Sequence, residues 1–123
     1  MFEAEWKSAV RFRHVARELE PLVRDVHAEL LRDPLDLVAL RDALEQLLAF
    51  IATPEGRSDA NCCAVDAFFA GCEEAARRLP EPFRQIVDDM GSTLHDSIYA
   101  PKVASTFDSL PEQLLARVRG IEV

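Results

Sequence analysis

The chain has 123 residues, 49% of them apolar and 29% charged, and its 14 basic and 22 acidic side chains give a formal net charge of −8. That length sustains one hydrophobic core without disulfide or metal staples, and the composition excludes a disordered chain. No apolar run approaches the roughly 20 residues that a membrane-spanning helix requires, and the acidic balance opposes direct binding to a phosphate backbone.

The segment Met1-Phe2-Glu3-Ala4-Glu5-Trp6-Lys7 is charged and amphipathic and lacks the apolar stretch of a signal peptide. A cytoplasmic location is therefore the expectation. Three cysteines in apolar, helical contexts point to reduced thiols and not to a disulfide framework. The charge is unevenly spread. Residues 1–32 carry six basic and six acidic side chains, whereas residues 33–123 carry eight and sixteen. Such a surface favours solubility and suits a basic partner.

In chain order, the first helical pattern runs through Phe2, Trp6, Val10, Val15, Leu19, Leu22, Val26 and Leu30. Pro21 interrupts it. Either one helix kinks there, or Pro21 lies in the first turn of a second helix. Asp33-Pro34 reads as a stop and restart, with Asp33 as N-cap and Pro34 at the first helical position. The next pattern is Leu37, Leu40, Leu44, Leu47, Leu48 and Ile51, on one face by its spacings of three and four.

Thr53-Pro54-Glu55-Gly56 ends that helix, and Ser58 or Asp59 caps the following one. That helix is predicted to run to just before Pro80. Cys62, Val65, Phe69, Cys72, Ala76 and Leu79 form its apolar seam, with a stripe of small residues, Ala60, Ala64, Ala67 and Gly71, behind. Small residues allow close approach, so this helix is expected to be central and contacted on two sides. Pro80-Glu81-Pro82 starts a further helix with Phe83, Ile86, Val87, Met90, Leu94 and Ile98 on its apolar face. Ala100-Pro101 breaks the chain, and a short piece carries Val103 and Phe107. Ser109-Leu110-Pro111-Glu112 resembles a capping box before a last helix with Leu114, Leu115, Val118 and Ile121. The prediction is an all-α, single-domain bundle spanning residues 1–123, with five or six helices and a central helix near residues 59–79.

Chemistry-bearing residues are few. Cys62 and Cys63 are adjacent, so on a helix they diverge by about 100° and do not readily hold one metal. No C-x-x-C, H-E-x-x-H or E-x-x-H pattern occurs among the cysteines and histidines. No metal or cofactor is assigned. Cys63 points away from the seam on a helical wheel and lies near a helix N-terminus, where a thiolate is favoured. Thiol labelling should therefore select Cys63. His95 shares a stripe with Asp88 and Ser92, flanked by Asp89 and Asp96. It is either a polar, solvated face or part of a site completed by another helix. Asp66 and Glu73 border the seam and either enter a shared cleft or pair with Arg57, Arg77 or an arginine of the first helix. Arg11, Arg13, His14 and Arg17 form a local basic cluster that suits salt bridges within or between subunits.

The leading functional expectation is a non-enzymatic protein-interaction module, an adaptor or an inhibitor- or immunity-type protein that masks a basic partner. The alternative is a small enzyme or ligand-binding protein with a site near Cys63, Asp66 and His95. Candidate binding residues are Arg57, Asp59, Cys63, Asp66, Asp88, Asp89, Ser92, His95 and Asp96. A protein partner is expected, without nucleic acid or membrane. A homo-oligomer is compatible with both readings, because Phe2, Trp6 and Phe12 call for cover.

Overall fold

The computed structural model describes residues 2–11, 13–91 and 110–123. Among them are seven helices and no strand: α1 Phe2–Val10, α2 Leu19–Leu31, α3 Leu37–Ala52, α4 Asp59–Ala70, the single turn α5 Glu73–Ala76, α6 Phe83–Met90 and α7 Leu110–Arg119. The all-α architecture matches the helical periodicity of the sequence. Leu94, Ile98, Val103, Phe107 and the Ser109 end of the capping box lie outside the described residues.

Pro21 sits in the first turn of α2, where no intrahelical N–H is needed. The first apolar pattern is thus two helices. Leu19, Val23, Val26 and Leu30 form the buried face of α2. At its far end the Arg78 guanidinium donates to Leu30 O (3.2 Å) and Arg32 O (3.0 Å). A side chain 48 positions away satisfies a helix-terminal carbonyl that the helix itself leaves open.

The restart at Asp33-Pro34 is corrected. That pair lies in a bend, and α3 begins at Leu37 with Asp36 as its N-cap. Asp36 has extended backbone angles, and its carboxylate accepts the Ala39 N–H at 3.1 Å. Either aspartate had the right chemistry. Asp36 stands immediately before the first turn of the apolar stripe, so its oxygen reaches a free amide.

The α3 stripe of Leu40, Leu44, Leu47, Leu48 and Ile51 is fully buried. At its end the Thr53 hydroxyl donates to Phe50 O (2.6 Å) and accepts the Gly56 N–H (3.0 Å). This tight turn requires glycine, because a Cβ at Gly56 would lie 1.9 Å from Phe50 O.

Of the two expected caps, Ser58 and Asp59, Ser58 caps α4, its oxygen accepting the Asn61 N–H at 3.0 Å. The predicted helix to Pro80 does not run unbroken. It stops at Gly71 and Cys72 and resumes for one turn as α5. The break falls where glycine weakens helical preference, yet Cys62, Val65, Phe69, Cys72, Ala76 and Leu79 all remain buried. The spacing of the seam survives the change of direction.

Packing closes these helices into a ring. α3 lies between α2 and α7, while α4 lies between α1 and α6. The α1–α2 and α6–α7 contacts complete the circuit, and α5 touches α2 and α6. Leu44, Leu47, Val65, Phe69, Ile86 and Met90 share one hydrophobic cluster, and α4 is contacted on two sides, both as expected. Phe2 and Trp6 are buried against Phe68, with ring centroids 5.3 and 6.0 Å away. Their cover comes from the chain itself, which removes them as a reason for a homo-oligomer. Phe12 lies outside the described residues.

Candidate functional site

Ser92, His95 and Asp96 lie outside the described residues. The other sequence-predicted residues fall in two places. Arg57, Asp59 and Cys63 belong to the start of α4, with Asp66 one turn on. Asp88 and Asp89 belong to α6, whose end packs on the end of α4. A Cβ on Gly91 would lie 3.0 Å from both Ala70 N and Phe69 C, which shows how close that contact is. Cys63 and Ala70 are seven residues apart, a rise of about 10 Å along a helix. Asp88 and Cys63 therefore do not share one pocket.

At the start of α4, the Arg57 guanidinium pairs with Glu112 of α7. The Asp59 carboxylate accepts a long hydrogen bond from Cys63 Sγ at 3.5 Å. Cys63 is buried, contrary to its expected outward direction: the exposed side of α4 runs through Asp59, Ala67 and Ala70 and does not include it. The accessible thiol behind the alternative ligand site is thus absent. Burial, with neighbouring Cys63 as a second cause, pushes the Cys62 thiol up to about 11, and burial does the same to Cys72. Asp66 is half-buried.

The basic cluster, Arg11, Arg13, His14 and Arg17, follows the end of α1 at Val10 and is not helical. Arg13 donates to Ala9 O at 2.7 Å and so caps α1. Asp89 accepts from Gln85 (2.9 Å) and from Arg117 of α7 (2.8 Å), which gives it a stitching role between helices. Glu73 pairs with Arg77 at 2.9 Å, one of the alternatives the sequence left open. No group of three or more His, Cys, Asp or Glu side chains among the described residues is placed to hold a metal ion.

A different grouping emerges around the break between α4 and α5. Three clefts, of about 640, 310 and 210 Å³, adjoin one another there and share Ala70 or Gly71 in their walls. Glu5 of α1, Glu73 and Glu74 of α5 and Asp88 of α6 rim them. Ala67, Ala70 and Gly71 are exposed and form a low floor. Arg78 also borders the largest of the three, but its guanidinium is turned to the carbonyls at the end of α2. His27 lines the same cleft, its Nε2 3.7 Å from Glu5 Oε2.

Sequence reasoning found Asp88, Glu73 and, of the small stripe, Ala67 and Gly71, but not Ala70, Glu5, Glu74 or the link to His27; Ala64 of that stripe is buried in the core. The available signal was local: Glu5 lies beside Trp6 on an amphipathic helix, and Glu74 follows Glu73. What joins them is the fold of α1 over α4, which no spacing encodes. The chain matches no protein-family model, no curated protein and no solved structure.

Proposed function

We propose that the protein is an interaction module that docks a basic segment of another protein on the face formed where α4 meets α5. One observation carries this reading. Exposed carboxylates from three helices, Glu5, Glu73, Glu74 and Asp88, surround a floor of Ala67, Ala70 and Gly71 that offers almost no side-chain bulk. Small residues let a partner backbone approach, and the acidic rim attracts lysine or arginine and repels phosphate. The uneven charge of the chain supports the same direction, since the excess lies beyond residue 32.

The test is affinity capture with wild type and two variants, followed by a binding isotherm on the captured protein. Glu73→Lys/Glu74→Lys/Asp88→Lys reverses the rim, and Gly71→Leu raises the floor. Both variants should lose the partner while keeping a wild-type helical spectrum. The wild-type complex should weaken between about 50 and 300 mM salt. Unchanged affinity in both variants would end this reading.

A further inference from the structure

We propose that α1 is a strap held closed over α4 by the neutral imidazole of His27 and released by mild acid. The strap is fastened by few residues. Phe2, Trp6 and Ala9 are its buried side chains, and its neighbours are α4 and α2. The Phe2 ring stacks on Trp6 (5.9 Å) and meets Phe68 (5.3 Å) and His27 (5.5 Å), while His27 meets Phe68 at 5.4 Å. His27 is thus enclosed between one ring from α1 and one from α4, and only 12% of its side chain is exposed. If α1 lifts away, Phe2 and Glu5 leave together and His27 faces water on α2.

A pivot for that movement is present. Residues 13–18 between α1 and α2 form no helix, and the Asn61 side chain holds them by accepting the Ala16 N–H at 2.8 Å. The chain beyond Ala16 stays pinned while the segment before it is free of that anchor.

The charges facing His27 have opposed effects. On α1, Glu5 favours the imidazolium, and Glu3 is engaged by Arg24 at 2.7 Å. On α2, Arg24 also pairs with Glu20 at 3.0 Å and lies 4.4 Å over the Phe2 ring. From α5 and its flanks, Cys72, Glu73, Glu74 and Arg78 line the cleft that His27 borders. α4 contributes the uncharged Phe68 ring. Burial prevails over Glu5, with the amino-terminal charge acting in the same direction as burial, so the group sits below the ordinary 6.5. A depressed value gives closure that is fully present above pH 6.5 and is lost as pH falls through the value in the closed state.

Hydrogen exchange of the α1 amides, corrected for intrinsic rates and measured at about pH 7.5 and about pH 5.5, tests this. Acrylamide quenching of Trp6, the single tryptophan, gives a second readout. The opening equilibrium of α1 should rise several-fold in acid. His27→Phe keeps a ring in place and should abolish the rise, as should His27→Gln. Glu5→Gln removes the group that favours the imidazolium and should enlarge it. His14→Gln should leave it unchanged. Equal opening at both pH values in wild type, or an equal rise in both His27 variants, would overturn the proposal. The measurement needs no partner, so its outcome is independent of the docking reading.

Discussion

Among the described residues, Asn61 is the one polar side chain in the buried core. Its carbonyl accepts the Ala16 N–H (2.8 Å) and its amide donates to Gly56 O (3.0 Å). Asn61→Ala leaves both backbone groups without that partner, and should cost about 1–3 kcal/mol in chemical denaturation. A midpoint equal to wild type would show that water replaces the amide. Nothing in the sequence marks this role, because asparagine in a first helical turn ordinarily faces solvent and the Ala16 contact spans 45 positions. Seam cysteines were legible from spacing, whereas the burial of Cys63 was not, since it depends on neighbours behind α4. All three thiols should therefore react slowly with a thiol reagent in the folded protein, and rapid modification of any one would contradict its burial. Alkali offers a second check. Cys62 and Cys72 are raised from 9.0 to about 11, so the stability they contribute is present below pH 9 and lost as pH rises through 11. Replacing both by alanine should flatten stability over that range, whatever it does to the baseline.

At the scale of the element, capping and turns decide where helices begin, and apolar spacing decides which face is buried. Spacing identified the buried face of α3 but its start was placed three residues early, and of the two caps read for α4, Ser58 and Asp59, the structure uses Ser58. Asp33 and Asp36 could not be separated by residue type alone. The break after Ala70 was hidden because the buried side of the seam continues through Cys72, Ala76 and Leu79. Two glycines make opposite predictions. Gly56→Ala forces a Cβ into the Phe50 carbonyl and should destabilise by about 1–3 kcal/mol. Gly71 has ordinary right-handed angles and 3.4 Å of clearance to Phe68 O. Gly71→Ala should be neutral or stabilise by about 0.4–1 kcal/mol through the unfolded chain. Thermal melts of the pair check both signs. Phe69→Ala, in the centre of the shared cluster, should cost roughly 3–5 kcal/mol by loss of apolar burial and cavity formation.

For the whole molecule, the circuit of helices explains why one cluster forms from such separated pieces. α7 is joined to α3 by Arg119–Glu45 (2.9 Å), to α6 by Arg117–Asp89 (2.8 Å) and to the start of α4 by Arg57–Glu112. Exposed pairs of this kind contribute about 0–1 kcal/mol each. Leu114 and Val118, fully buried, and Leu115, nearly so, therefore hold α7 more firmly than its arginines do. Stability should change little with added salt, while partner binding should be salt-sensitive. Equal sensitivity of the two would argue that the ion pairs, and not the apolar contacts, close the circuit.

That closure has a kinetic side. The most extensive helix–helix contacts join α3 to α7 and α3 to α2, so residues 37–52 find one partner nearby and the other beyond residue 109. Pairings between distant segments slow the search for the native state. During synthesis, the side of α3 that packs on α7 waits for that helix before its surroundings are complete. A ribosome-bound or isolated fragment ending at residue 91 should accordingly remain protease-sensitive and bind an apolar dye, and should become resistant when residues 92–123 are added.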